Sequence, residues 1–390
     1  MRILHTVESY YPAVTGMAEV AGQISERLVK LGHQVTVATT KLGSRRTTAV
    51  NGVKIVEFAI FGNLVRGISG QVDQYLRFLL SSRFDIITNF AAQQWATDLV
   101  FGLLDSIKAK KIFVPTGFSG LKLPEYRDYF GSMTGWMKKY DMNVFLAIHY
   151  RDSEFASEQG IKKRVLIPNG AAKDEFLAEV IIDIRQFLEI PQNHFLILLV
   201  ASHTGMKGHN EAIEIFSQAE IKNATLLIIG EEQKEGCGPK CKLRERILNI
   251  LPTKRLWGKR LIVTSLPRSH TVAAYKAADL FLFPSNIECS PIVLFECLAS
   301  KTPFLTTDVG NAKEIINWSG GGILLPTRKD ERGYSFAKVD QSARILEDIY
   351  HDLGKRELMR RSGFSVWQKK FTWEKIAQEY EKLYKSLLAN

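Results

Sequence analysis

The chain has 390 residues, of which 45% are hydrophobic and 24% charged, a globular composition that argues against disorder and accommodates two domains of about 150–200 residues. Its formal net charge is +11, and residues 1–170 hold 21 Lys and Arg against 14 Asp and Glu, so most of the excess lies in the first part. A basic surface suits anionic membranes, nucleic acids or phosphorylated ligands, but no nucleic-acid motif accompanies it; no run of about 18 apolar residues offers a spanning helix, and four cysteines do not make a disulfide scaffold.

The first 24 residues include Arg2, Glu8 and Glu19 and no continuous apolar segment, so no signal peptide is expected and a cytoplasmic or peripheral protein is. Apolar strand-like runs recur at 2–7, 34–39, 53–58, 85–90, 111–115, 144–148 and 165–167, with helical segments such as 18–31, 93–109 and 126–139 between them. A second series runs through 195–200, 224–229, 261–264, 280–283, 304–306 and 323–325. Strands that alternate with helices predict parallel sheets covered on both faces, so the expectation is an α/β protein of two doubly wound domains meeting near Pro168-Asn169-Gly170. The final segment places Ile376, Tyr380, Leu383, Tyr384 and Leu387 on one helical stripe.

The most informative segment is 284–303. Asp279-Leu280-Phe281-Leu282-Phe283 reads as a buried strand, and Ser290-Pro291 predicts an N-cap hydroxyl followed by proline at the first helical position. Glu288 then lies in the strand-to-helix loop and Glu296 roughly 8 Å along the helix. Unpaired N–H groups at such a helix start face the space where open α/β sheets bind ligands. A phosphate site with a carboxylate at each end fits a sugar nucleotide, because carboxylates accept hydrogen bonds from sugar hydroxyls. A glycosidase reading needs one carboxyl kept protonated across a scissile bond from the other, and the helix start between these two suits phosphate instead.

Glu288 and Glu296 in this spacing resemble the Glu-x7-Glu motif of retaining GT-B glycosyltransferases of family 4. Further likenesses follow in order along nearly the whole chain: Arg2-Ile3-Leu4-His5 with Tyr11-Pro12 and Gly16, Leu28 with Leu31 to Val37, Val165-Leu166-Ile167-Pro168-Asn169-Gly170, Lys207-Gly208, Thr306 to Gly310 with Glu314, and Phe371-Thr372-Trp373. The resemblance implies a GT-B fold, two Rossmann-like domains facing a central cleft. Residues 1–169 would take the acceptor, with the terminal helix 372–390 packed back on them, and residues 170–371 the nucleotide-sugar donor. It implies catalytic roles for Glu288, at the donor sugar, and Lys207, at the leaving diphosphate. Donor contacts would come from Glu296 at the ribose, Ser290, Ile292, Val293 and Gly16.

Departures are equally specific. Ala201-Ser202 stands where the family has Gly-Arg, Thr116-Gly117-Phe118 where it has a histidine, Met17 where it has a second glycine, and Ala171-Ala172 where it has an aspartate. Ser202 and His203 are candidates to donate to the diphosphate in place of the arginine, as weaker neutral groups.

Two segments stand outside the motif. Phe118 to Met137 carries Phe118, Tyr126, Trp136 and several basic residues, a pattern open to ordinary core packing or to a lipid-linked acceptor or anionic membrane surface. Cys237-Gly-Pro-Lys-Cys241 is a loop, a redox pair or half of a metal site whose other ligands are missing from any recognised spacing. The expected activity is transfer of a hexose from a nucleotide diphosphate sugar, UDP-linked by default, to a saccharide or lipid-linked saccharide, without cofactor or metal. A nucleotide-sugar epimerase and a weakly catalytic partner subunit are the alternatives.

Overall fold

The structure, a computed structural model, describes residues 1–13, 15–81, 83–179, 181–233, 236–251 and 257–389. The chain divides into two compact units, Met1–Asn169 with Trp373–Asn390, and Gly170–Thr372.

In the first unit the strands in chain order are β1 (Arg2–Thr6), β2 (Gln34–Thr40), β3 (Ala49–Val50), β4 (Val53–Phe58), β5 (Ile60–Asn63), β6 (Gly67–Gly70), β7 (Ile86–Phe90), β8 (Lys110–Val114), β9 (Met142–Phe145) and β10 (Arg164–Leu166). β5 and β6 form a hairpin; the others make one sheet in the order β10-β9-β8-β7-β1-β2-β4-β3, parallel except where β3 meets β4. The second unit contains β11 (Phe195–Val200), β12 (Ala224–Ile229), β13 (Lys259–Thr264), β14 (Leu280–Phe283), β15 (Phe304–Thr306) and β16 (Gly322–Leu324), with a small antiparallel pair β17 (Thr327–Lys329) and β18 (Ser335–Ala337). Its sheet runs β13-β12-β11-β14-β15-β16, all parallel. Counted from β11, that is the doubly wound order 3-2-1-4-5-6, and the chain reverses direction across the sheet between β11 and β14.

Every residue of β12 and β14 is buried, as continuous apolar runs must be when helices cover both faces of a sheet. The main strands lie within a residue or two of their expected positions, except that the one expected at 144–148 ends three residues early, at Phe145. The expected helix at 93–109 is shorter, Trp95–Phe101, and ends at Gly102. The β5–β6 and β17–β18 hairpins were not anticipated, because Gly62, Gly67, Gly70, Arg328 and Lys329 break the apolar pattern that announces a strand.

The C-terminal helix Trp373–Ala389 belongs to the first unit. Its stripe buries Ile376, Tyr380, Leu383 and Tyr384. The Tyr384 hydroxyl lies 2.7 Å from Thr88 Oγ1 on β7 and 3.2 Å from His5 Nε2 on β1, and His5 Nδ1 is 2.8 Å from Ser25 Oγ of the first helix. Along the same helix, Glu374 pairs with Arg27 at 3.0 Å and Glu381 with His33 at 2.9 Å.

Burial drives the His5 pKa down from 6.5 to about 3, so the folded unit holds a neutral imidazole. A depressed folded pKa contributes stability that is fully present above pH 6.5 and is lost as pH falls from there toward about 3, because the unfolded chain takes up the proton first. Asp98 and Asp152, both raised by burial to about 6, act with the opposite sign over part of that range, so comparison with a variant isolates the His5 contribution. Chemical denaturation between pH 7 and pH 4 is expected to show wild type losing stability relative to His5→Gln; parallel pH curves for the two proteins would refute the assignment.

Candidate functional site

In a doubly wound sheet the chain leaves the two strands at the switch point in opposite directions, which opens a crevice at their carboxyl ends. In the second unit those strands are β11 and β14, and the loops that follow them carry Lys207 and Glu288. Lys207 Nζ donates to Glu288 Oε1 at 2.6 Å, with the lysine side chain 26% and the glutamate 13% exposed. The Ser285 hydroxyl donates to the same oxygen at 2.9 Å. Both contacts therefore reach Oε1, and among the described residues Oε2 of Glu288 and the remaining protons of the Lys207 ammonium are available to a ligand.

Backbone contacts hold the two loops in register. Asn286 N donates to Met206 O at 3.0 Å, and Gly208 adopts φ +70° immediately before the helix His209–Gln218. A Cβ on Gly208 would lie 1.9 Å from the Pro284 carbonyl oxygen, so the loop approach requires glycine there. From the other side, Asn311 N donates to Cys289 O at 2.9 Å, and a Cβ on Gly310 would lie 2.2 Å from that oxygen. The Glu288 loop is thus gripped by the loop after β11 and the loop after β15. Asn286 extends the grip to the β17–β18 pair, since Ser335 N donates to its carbonyl at 2.8 Å.

The helix after β14 spans Ile292–Ser300, and Pro291, not Ser290, occupies its N-cap position. The expected Ser290 cap is absent: its Oγ instead accepts from Asn311 Nδ2 at 3.1 Å, because proline fixes an extended entry one residue later. Ile292 and Val293 are half-buried in the first turn, where backbone N–H groups lack intrahelical acceptors.

Glu296 lies farther along this helix and is only 5% exposed. Arg268, at the start of the helix Arg268–Ala277, approaches it with Nη2–Oε1 at 2.6 Å and bonds Glu175 through Nε at 3.2 Å and Nη2 at 2.6 Å. Burial opposes the Arg268 charge, yet Glu296 and Glu175 more than offset it and raise the pKa above the ordinary arginine value. Burial likewise pushes the Tyr275 hydroxyl well up, with Glu296 adding to it, so Tyr275 is a neutral phenol. Sequence reasoning missed Arg268 and Glu175: they lie 28 and 121 positions from Glu296, with no local spacing to mark them.

Gly16 is the first residue of the helix Gly16–Lys30 in the first unit, after a Thr15 N-cap that accepts from Ala18 N. Ser202 is half-buried in the loop after β11, whereas His203 is 1% exposed and directed toward Cys237, so it is not positioned as an open phosphate donor. Phe118 and Tyr126, 1% and 3% exposed, are core residues. Phe118 meets Phe113, Phe130 and Phe155, and the Tyr126 hydroxyl accepts from Asn63 Nδ2. Trp136 stacks on Phe101 with centroids 4.2 Å apart. Phe118 and Tyr126, with Trp136 of the helix Arg127–Lys139, therefore pack within the first unit, which is the core-packing alternative of the two readings of this segment. Among the described residues no helix is long and apolar enough to cross a membrane.

Residues 180–356 match the family described as Glycosyl transferases group 1. Over 409 aligned positions the chain is 22% identical to an uncharacterized glycosyltransferase of Methanocaldococcus jannaschii, covering 99% of this chain and 98% of that one. Sucrose-phosphate synthase from Thermosynechococcus elongatus shares the fold with a TM-score of 0.78 at 17% identity, over 100% of this chain and 99% of that one. HepE of Anabaena, solved in complex with UDP-glucose, gives a TM-score of 0.75 at 15% identity, over 99% and 100% of the two chains. Residues 180–356 are thus similar to glycosyltransferase group 1 proteins, and the chain has a GT-B fold.

Two substitutions check the geometry. Gly208→Ala forces a Cβ into the Pro284 carbonyl and an L-residue into the left-handed region, and is expected to cost about 2–4 kcal/mol, read as a lower denaturation midpoint. Arg268→Ala strands the carboxylate of Glu296; with the arginine partly solvated, the expected loss is about 1–3 kcal/mol, read as a lower denaturation midpoint.

Proposed function

We propose that this protein is a retaining glycosyltransferase that moves a hexose from a nucleotide diphosphate sugar, UDP-linked by default, to a saccharide or lipid-linked saccharide in the synthesis of a cell-surface polysaccharide or glycolipid. The observation that carries the reading is the Lys207–Glu288 pair at the switch point, 2.6 Å apart, beside the start of the helix Ile292–Ser300. The UDP complex of the fold neighbour HepE supports uridine as the base.

In this reading residues 170–371 hold the donor and residues 1–169 the acceptor. The diphosphate sits against the first-turn N–H groups at Ile292 and Val293, where the helix dipole favours negative charge. Lys207 turns its free protons to the phosphate, while Glu288 accepts from hydroxyls of the transferred sugar. Glu296, oriented by Arg268, accepts from the ribose. As the bond between the anomeric carbon and the diphosphate breaks, the nucleotide leaves with the electron pair and Lys207 offsets its growing charge. The acceptor oxygen forms the new bond on the same face, and its proton passes to the departing phosphate oxygen. Binding of both substrates with the acceptor oxygen held on the leaving-group face of the sugar supplies much of the acceleration, and the step calls on no divalent metal.

Thermal melting in the presence of UDP, GDP and ADP, each free and carrying glucose, N-acetylglucosamine, galactose or mannose, tests the donor class. One nucleotide series should raise the midpoint in wild type and do so less in Glu296→Gln. With the donor so identified, Lys207→Met is expected to lower kcat by about 10²–10³-fold, the scale of one lost charge-stabilising donor, and Glu288→Gln to lower turnover more than nucleotide affinity. Wild-type kinetics in both variants would sink the assignment, and no shift with any nucleotide would favour the partner-subunit alternative.

A further inference from the structure

The loop that carries Lys207 is bounded by two histidines, and both are directed toward one sulfur. Cys237 Sγ lies 3.5 Å from His203 Nδ1 and 3.5 Å from His209 Nδ1. Cys241 follows one helical turn later, and a ligand atom from each of His203, Cys237 and Cys241 lies within 4.8 Å of the others. All four side chains are more than nine-tenths buried, and the cysteines are free thiols. The imidazole rings stack, with centroids 4.3 Å apart.

We propose that His203, Cys237 and Cys241, whose ligand atoms lie within 4.8 Å of one another, form the core of a tetrahedral zinc site, and that His209, 3.5 Å from Cys237 Sγ but outside that mutual spacing, moves in as the fourth ligand. Metal–sulfur bonds of about 2.3 Å and metal–nitrogen bonds of about 2.0 Å, at the tetrahedral angle, place nitrogen and sulfur about 3.5 Å apart, and both Cys237–imidazole distances have that value. His209 Nε2 donates to Ala201 O at 3.2 Å, which leaves the lone pair on Nδ1. Metal-bound imidazoles are commonly oriented in this way by a backbone carbonyl. Two sulfurs and two nitrogens select zinc among the common divalent ions, and four protein ligands close the coordination sphere, so the ion is structural.

Its position gives it a consequence. His203 and His209 flank Thr204–Gly208, so the ion ties both ends of the Lys207 loop to the helix Gly238–Ile250, whose N-terminal flank is Cys237. A second tie already runs through the backbone, where Cys237 N donates to His203 O at 3.2 Å. The expectation of a metal-free protein is thereby revised for the fold, while the transfer step remains independent of metal.

Elemental analysis of protein purified under reducing conditions without chelator tests the site, and its readout does not depend on any sugar nucleotide being bound. One zinc per chain is expected, and replacement by cobalt(II) should give the visible absorption and thiolate charge-transfer bands of a tetrahedral sulfur-ligated ion. Cys241→Ser and His209→Gln should lose the metal, Cys289→Ser should retain it, and chelation should lower the wild-type melting midpoint by a few degrees in a manner reversed by zinc alone. Wild-type protein that neither contains zinc nor binds added zinc or cobalt stoichiometrically would overturn the proposal, as would a Cys237–Cys241 disulfide in the reduced preparation. Because wild type carries these tests, misfolding of one variant does not decide them.

Discussion

A carboxylate and an ammonium meet where two adjacent parallel strands send the chain in opposite directions, and the construction of the second unit converges on that contact. Isolated ions at such a place would face partial desolvation alone, whereas the pair lets each tolerate it. To bring Lys207 and Glu288 within 2.6 Å, the loop after β11 must press its backbone against Pro284 and Asn286. That approach excludes a side chain at position 208. The loop after β15 makes the matching demand at Gly310, so the two glycines are required by backbone proximity as well as by their left-handed φ angles.

The same economy appears around Glu296. A buried carboxylate in a helix of apolar residues is stable when a cation covers it, and Arg268 does so while held in turn by Glu175. Arginine suits this place because its planar fork serves two carboxylates at once, which a lysine ammonium does less selectively. The guanidinium missing at Ala201-Ser202 is therefore not the only one relevant to this unit, although Arg268 meets a carboxylate and no contact of it with phosphate is implied.

What the sequence made legible follows from the range of the interactions. β12 and β14 are readable because burial on both faces demands a continuous apolar run, and the C-terminal helix because its stripe has helical period. Glu288 and Glu296 are readable because they sit on one loop and the helix that follows it. The position of the helix start was misjudged by one residue, since a Ser-Pro pair fits either proline at the first helical position or proline at the cap. Arg268 and Glu175 escaped because tertiary packing alone brings them to Glu296. The cluster at Cys237 escaped for the same reason: the two cysteines share one helical turn, but the histidines come from a different loop. Phe118 and Tyr126 mislead in the opposite direction, since aromatic and basic residues mixed along a segment look alike whether the rings face lipid or core.

The first unit is discontinuous in the chain, with residues 170–372 inserted before the helix that supplies Tyr384 to His5 and Thr88. A polypeptide made from its N-terminus therefore exposes the groove beside the first helix throughout synthesis of the second unit. Until Trp373–Ala389 emerges, the apolar surface that will cover Ile376 and Tyr380 stays open to water and to other chains. The second unit, continuous in sequence, has all its elements at hand once Thr372 is made, whereas the first, whose strands are complete by Leu166, still waits for its last helix. In vectorial synthesis, then, the half of the molecule that starts first is completed last.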